Sequence, residues 1–363
     1  MRNMEKQAVN RIEYLDISKG IGIILVVLGH IVYTNPYVMV WISSFHMPLF
    51  FIIAGIMLAI KDFDRMDVHT NIRKKARSLV IPYLWFSLAA FLLDIGNVTL
   101  GKIDSHTFLV NIISSVTFYG KSVLWFLIAL FLAYTYFFIL RRLTSDAYSI
   151  FFIILGAIVA YFFKDNLSFL YAGCSENLLL TSLINVARSY VRGFIVLPFL
   201  AFGYYIFKAI KHKLPDLTCN SITGKARALY FLFGAVFLAI DICIAMTNWS
   251  VDTNNMILNN PILYYLGGFI GSFAIILISK AISGIRPVRV LGYLGSNSLI
   301  IMATHLDWYF LWAGIKVSMI IYGLTSSNVL LVTFATLITL MLCVIPITLI
   351  KRFCPFIMGK RRR

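Results

Sequence analysis

Asp16, Lys19 and His30 lie on one apolar segment near the start of the chain, separated by Ile, Leu, Val and Gly. The separation from Lys19 to His30 turns an α-helix through about 1,100°, so both side chains share one face, ~16 Å apart along the axis, with Asp16 within about 40°. Ionisable groups inside a membrane helix are costly and indicate function. His30, an imidazole deep in an apolar helix, is therefore a candidate functional residue.

Simpler roles exist for the same three residues. Asp16 and Lys19 are spaced i, i+3, as in an ion pair at a membrane interface. A buried His30 can serve only to hydrogen-bond a neighbouring helix. Gly20, Gly22 and Gly29 would allow another helix or a ligand to approach this backbone closely.

Further candidates lie in the next two apolar runs. His46 precedes Pro48, which allows a broken or tilted helix entry, and we expect His46 near the outer membrane face at a depth similar to His30. A half-solvated interfacial His is the alternative. Lys74 and Arg77 belong to the run Arg73-Lys74-Lys75-Ala76-Arg77. They are either ordinary topology signals or phosphate ligands, for which the planar guanidinium of Arg77 is suited.

The composition is that of a membrane protein. Hydrophobic residues make up 60% of 363 and charged residues 13%, with a mean hydropathy of +0.86, whereas soluble domains are about half apolar and a quarter charged. Runs of roughly twenty apolar residues are long enough to cross ~30 Å of hydrocarbon. We predict an all-α polytopic fold of about ten spans, at 17–36, 40–60, 79–95, 123–140, 148–163, 190–208, 227–246, 262–280, 293–314 and 328–350.

The net charge of +17 is explained by topology rather than by nucleic-acid binding. Most of the 32 Lys and Arg residues fall in alternate connecting segments, which the positive-inside rule assigns to the cytosol. Both termini, 1–16 and 351–363, are therefore predicted to be cytoplasmic, and the first span to be a retained signal anchor of a multi-pass inner-membrane protein. Anionic lipid is the expected partner of these cations.

The chain is predicted to be a single membrane domain, 1–363. It has no internal repeat and no non-spanning stretch large enough for a soluble domain. No Cys or His spacing indicates a metal site, and no bound cofactor is expected.

Five short motifs, in this order, resemble the acyltransferase-3 family of bacterial membrane O-acyltransferases in its stand-alone form. The resemblance covers essentially the whole chain. The first three motifs are the basic–x10–His pattern of Lys19 and His30, Phe45–Gly55 with Ala54 where Ser is commoner, and the basic–x–x–Arg pattern of Lys74 and Arg77. The last two are Leu124–Leu127 around Trp125, and Leu291–Leu299 with Ser298, followed by His305.

The resemblance implies transfer of an acyl group, typically acetyl, from cytosolic acyl-CoA to a sugar hydroxyl handled at the outer face. Lys19, Lys74 and Arg77 would then bind the donor, and His30, with His46 and Asp16, would form the catalytic group. Trp125, Ser298 and His305 would support the acceptor, His305 together with Asp307. Direct transfer with His30 as base and a covalent acyl-histidine relay both remain open.

Two other functions fit the same pattern of spans. A transporter or flippase for a lipid-linked glycan would use the polar groups along a pathway and need no CoA. A structural subunit of a polysaccharide-export complex would have no use for the ionisable side chains of Lys19 and His30 on one helix face. As an enzyme, the protein would associate with glycan-assembly machinery. O-antigen, capsule, teichoic acid, secreted polysaccharide and small glycosides are all compatible acceptors, and succinyl is an alternative to acetyl.

Overall fold

The computed structural model describes residues 12–31, 34–61, 63, 67–173, 177–211, 213, 222–322 and 329–360. The predicted N-terminal segment up to residue 11 and the last three residues of the basic tail lie outside this range. The described chain is all-helical, as predicted, with one isolated antiparallel bridge between Asp252 and Ile257.

Fifteen α-helices follow one another along the described chain. Their bounds are α1 Glu13–Gly29, α2 Pro36–Ile60, α3 Val68–Lys75, α4 Ile81–Thr99, α5 Ser105–Val116, α6 Trp125–Leu143, α7 Asp146–Gly173, α8 Leu178–Ile210, α9 Gly224–Thr247, α10 Pro261–Ile282, α11 Arg289–Ser296, α12 Ser298–Thr304, α13 Phe310–Tyr322, α14 Val329–Leu342 and α15 Val344–Phe353. A π-helical turn, Ala76–Val80, joins α3 to α4.

Eight of the described helical segments are long and apolar enough to cross a membrane. They are Pro36–Ile60, Val68–Thr99, Ser122–Leu143, Asp146–Tyr171, Leu178–Ile210, Gly224–Thr247, Pro261–Ile282 and Val329–Phe353. The predicted first span corresponds to α1, which has 17 residues and ends at Gly29 rather than near residue 36. His30 therefore caps the carboxyl end of α1 and does not lie within it.

The predicted span 293–314 is wrong as a continuous helix. The chain there consists of α11, α12 and α13, with breaks at Asn297 and at 305–309. Interrupted helices at membrane depth are tolerated where the freed backbone is buried in protein or lines a cavity, and His305, at the second break, is fully buried. Pro48, by contrast, does not break α2.

The helices define two ends of the bundle. At the basic end, α1 begins, α2, α6 and α10 end, and the run from Arg73 to Arg77 enters α4. At the far end, α1 ends and α2 begins, and the loop 248–260 joins α9 to α10. Helices α7 and α9 lie at the periphery, with large apolar side chains such as Phe162 and Leu232 exposed. Apolar surface of this extent fits contact with lipid.

Helix α1 packs against α2, α10 and α11, and its contact with α11 is backbone to backbone. A Cβ atom added to Gly20 would lie 2.0 Å from the carbonyl oxygen of Leu291, and one added to Gly295 would lie 1.8 Å from that of Asp16. Glycine at both positions allows this approach. The prediction for Gly20 is thus confirmed, and its partner helix is α11.

We expect Gly295→Ala to destabilise the protein by about 1–3 kcal/mol or more, because an overpacked helix contact must separate. Thermal unfolding of the detergent-solubilised protein measures this. Gly292→Ala, on the same helix with nothing within 4 Å of the added Cβ, is the matched control. Equal melting temperatures for the two variants would contradict the close contact.

The sidedness prediction is tested by cysteine labelling in a background without the five native cysteines. Ser105→Cys, exposed at the start of α5, should react with an impermeant maleimide in intact cells. His69→Cys, exposed in α3 at the basic end, should react only after permeabilisation, because basic segments stay in the cytosol. The reverse pattern would overturn the proposed orientation.

Candidate active site

A cavity of about 210 Å³ lies towards the basic end, between α1, α2, α6 and α12. We call it the basic-end cavity. Its wall is mainly apolar, with polar groups from Lys19, Tyr134 and Ser298. Lys19, predicted to bind the donor, and Ser298, predicted to support the acceptor, are thus brought together here, and Ser298 does not line the far-end cavity described below.

Lys19 and Asp16 form the ion pair that their spacing predicts, with Nζ 2.6 Å from Oδ1. Asp16 is buried, while the side chain of Lys19 is partly exposed and lines the cavity. Lys19 therefore remains at the cavity wall although it is paired with Asp16. Asp16 fixes the ammonium at the cavity wall, and it lies too far along α1 to act directly at His30.

Lys74 and Arg77 are exposed at the basic end and line neither this cavity nor the one described below. Lys75, between them, turns inward, with its Nζ 3.6 Å from the centroid of the Tyr134 ring. The π-helical turn that follows places Leu79 on the cavity wall. Such π-helical insertions occur frequently at functional sites. Within the basic run, Lys75 thus contacts a residue of the cavity wall, whereas Lys74 and Arg77 lie on the outer surface.

A second cavity, of about 440 Å³, lies at the far end, and we call it the far-end cavity. His30, His46 and Trp125, all predicted as site residues, line it. They come from the end of α1, the third turn of α2 and the start of α6. Its polar lining also includes Ser43, Ser122, Asp252, Thr253 and Asn254.

His46 has a defined hydrogen-bonding role. Its Nδ1 lies 2.7 Å from the carbonyl oxygen of Ile42. A carbonyl oxygen only accepts hydrogen bonds, so Nδ1 carries the proton and donates it. In the neutral ring, Nε2 is then left as an acceptor on a residue that lines the cavity. His46 can therefore act as a base towards a ligand in the far-end cavity.

His30 is accessible from the far-end cavity, and its ring centroid lies 5.3 Å from that of His305. His305 is fully buried, and its Nδ1 donates to the carbonyl oxygens of Met302 and Ile301 at 2.9 and 3.0 Å. Its Nε2 has no partner. His305 lines neither cavity and stands beside His30 instead. It is placed to orient the His30 ring, and an acceptor would not touch it in this conformation.

The two cavities share a wall. Val26, Met47 and Met302 line both. His30 lies one helical turn beyond Val26 on α1, on the far-end side of this wall. Methionine side chains are unbranched and flexible, so this partition can rearrange more easily than one of branched residues.

The loop 248–260 is the part of the site that sequence reasoning missed. It forms part of the wall of the far-end cavity with Val251, Asp252, Thr253 and Asn254. Asn248 holds the loop closed, donating to the carbonyl oxygen of Leu258 and accepting from the backbone N–H of Asn260. The only signal was an Asn-rich stretch between two apolar runs, and because Asn is common in ordinary turns, it did not indicate a site.

No group of three or more His, Cys, Asp or Glu side chains that could hold a metal ion occurs within the described part of the chain. The chemistry available at the site is therefore that of imidazoles, hydroxyls, amides and one carboxylate around the far-end cavity, with cations at the basic end.

Comparison with known proteins identifies the family. The family model Acyl_transf_3, described as an acyltransferase domain, matches residues 12–348. No curated protein and no solved structure matches the chain. The matched region contains α1 to α14 and every residue of both cavities. The chain is thus a multi-pass membrane protein that belongs to the acyltransferase-3 family.

Proposed function

We propose that the protein transfers an acyl group, most simply acetyl, from cytosolic acyl-CoA to a hydroxyl group of a cell-surface or exported glycan. The observation that carries the proposal is the pair of cavities that meet at Val26, Met47 and Met302. The first lies towards the basic end and is lined by the cation of Lys19, and the second is lined by imidazoles and a polar loop. A transferase with substrates on opposite sides of a membrane needs such an arrangement.

The donor would occupy the basic end. Lys74 and Arg77 are exposed there and would bind the CoA phosphates, since charge-assisted hydrogen bonds to phosphate are among the strongest. Lys19 and Ser298 line the cavity through which the pantetheine arm would pass. The thioester would then lie near Met302, next to His30. No resident cofactor is required, because acyl-CoA is a co-substrate.

The acceptor would occupy the far-end cavity. We propose that His30 takes the proton of the acceptor hydroxyl while its oxygen attacks the thioester carbonyl carbon. The new C–O bond forms, the C–S bond breaks, and the imidazolium returns the proton to the CoA thiolate. The products are an O-acyl ester and free CoA. His46 is the second candidate for the base, and Trp125 would bind the sugar ring.

The same proposal sets the cellular context. The basic end would face the cytosol, with both termini there and anionic lipid beside its cations. The far end would face the outer side of the inner membrane. This places the enzyme where glycans are assembled or exported, and association with that machinery follows naturally.

Comparing cells with and without the gene tests the proposal. Surface glycans from cells lacking it should keep their amount and sugar composition but lose O-acyl signals in the NMR spectrum. Re-expression of the wild type should restore these signals, and the His30→Ala variant should not. Loss of the glycan itself with unchanged acylation of the remainder would instead establish a flippase.

A further inference from the structure

A face of α8 carries buried polar groups that the proposed mechanism does not use. Asn185, Arg188 and Arg192 lie on successive turns of one side of this helix. Arg192 is 1% exposed, Arg188 6% and Asn185 0%. Arginine keeps its charge inside proteins, so two full positive charges are buried side by side.

The hydrogen-bonding capacity of this cluster is largely unused. Arg192 donates from Nη1 to the carbonyl oxygen of Tyr119 at 3.0 Å, but its Nε and Nη2 have no partner. The Nε of Arg188 and both amide atoms of Asn185 are also without a partner. Buried N–H groups are normally satisfied, so these donors indicate a missing acceptor.

The positive charge of the two arginines is also not neutralised by an ion pair within the described residues. Asp252 is near enough to act on Arg192 electrostatically, but its oxygens accept hydrogen bonds from Asn254 and Asn255. Stacking on aromatic rings offsets only part of the cost of burying a cation.

The aromatic contacts connect this cluster to the far-end cavity. The guanidinium of Arg192 lies 4.4 Å from the centroid of the Tyr119 ring and 5.2 Å from that of Trp125. Arg188 lies 4.7 Å from the centroids of Tyr119 and Tyr171. Trp125 lines the far-end cavity and Arg192 does not. The indole is therefore the partition between the cavity and the arginines.

We propose that Arg188 and Arg192, with Asn185, form a binding site for an oxyanion, such as the phosphate of a ligand that occupies the far-end cavity. The Trp125 ring must turn aside to admit it. Two guanidinium forks can bind several oxygens of one phosphate. If the proposed function holds, the anion belongs to the acceptor, and the site selects acceptors with a negative group near the reacting sugar. A phospholipid headgroup is the other source of the same chemistry.

The binding test uses the full-length protein in nanodiscs of phosphatidylcholine, titrated with inorganic pyrophosphate in the absence of any acyl donor. The readout is the part of the tryptophan fluorescence change that is lost in Trp125→Phe. We expect a saturable change in the wild type. Its midpoint should rise at least about tenfold in Arg192→Lys, which keeps the charge but loses the fork. Arg188→Lys should behave similarly.

The same titration includes a control variant and shows which results would contradict the proposed anion site. Arg142→Ala, which removes an exposed cation at the opposite end, should leave the midpoint unchanged. Thermal unfolding of each variant shows whether that variant is folded. If Arg192→Lys does not fold, Arg188→Lys takes its place in the titration. An absent Trp125 signal in the wild type, or equal midpoints in the wild type and a folded lysine variant, would overturn the site.

Lipid composition separates the two sources of the anion. If phosphatidylglycerol in the nanodiscs raises the pyrophosphate midpoint, the site takes a lipid headgroup. If the midpoint is unchanged, it takes the anion of an acceptor. Since no acyl transfer is measured, failure of the proposed enzymatic function would leave this result intact, and the reverse also holds.

Discussion

Replacing His30 by alanine is expected to lower the rate of acyl transfer by 10²–10⁴-fold, about 3–5 kcal/mol of activation free energy, while the protein stays folded and inserted. Loss of a positioned general base has this magnitude. The reason is structural, because His30 lines the far-end cavity and lies one helical turn beyond Val26, which lines both cavities. Transfer of radiolabelled acetyl from acetyl-CoA to glycan by the purified variant measures the effect.

His106→Ala is the matched control, since His106 is an exposed histidine on α5 at the far end. It should retain full activity. If His30→Ala also retains near-normal activity at normal expression, neither the base nor the relay mechanism holds. His46, with an Nε2 acceptor and a place on the cavity wall, is then the next candidate.

The base and relay mechanisms are separated by a reaction without acceptor. A relay requires donor-dependent, hydroxylamine-sensitive labelling of His30 under these conditions. Direct transfer requires none, with product formed only when both substrates are bound. We expect direct transfer, because the two cavities meet beside His30 and no covalent intermediate is needed to connect them.

Replacing Arg77 by alanine is expected to raise the dissociation constant for acyl-CoA about ten- to a hundred-fold. A charge-assisted hydrogen bond to phosphate contributes about 1.5–3 kcal/mol, and each 1.4 kcal/mol corresponds to tenfold. The apparent affinity for the acceptor should change little, because Arg77 lies outside the far-end cavity. Calorimetry with the folded variant measures the donor affinity.

Arg142→Ala provides the comparison, as Arg142 is an exposed arginine at the end of α6, also at the basic end. The donor affinity of this variant shows whether any cation on this surface contributes to acyl-CoA binding or only the basic run Arg73–Arg77 before α4. Equal donor affinities for the wild type, Arg77→Ala and Arg142→Ala would return Arg77 to a purely topological role.

Much of the architecture could be predicted because hydrophobic length is a local property of the sequence. Runs such as Pro36–Ile60 and Pro261–Ile282 were located from composition alone. The break at 305–309 was not predicted, because the segment His-Leu-Asp-Trp-Tyr contains neither Gly nor Pro, the strongest local signs that a helix stops. His305 donates to the carbonyl oxygens of Met302 and Ile301 in its own turn, which compensates for the break, and its ring contact with His30 is set by tertiary packing.

The site, too, could be predicted only as far as it depends on local sequence. Helical geometry placed Lys19 and His30 on one face, and the structure puts them on the walls of the two adjoining cavities. Lys75 could not be singled out from its basic neighbours, because its inward turn depends on Tyr134, far away in sequence. The loop around Asp252 reaches the site only through the arrangement of α9 and α10.

The most direct test of the account is acyl transfer across a sealed membrane. The purified protein is reconstituted in proteoliposomes of defined orientation with a glycan acceptor on the side of the far end. Labelled acetyl-CoA is supplied only on the side of the basic end. The account predicts ester-linked label on the glycan with release of an equal amount of free CoA. Movement of glycan across the membrane without label or CoA release would contradict it.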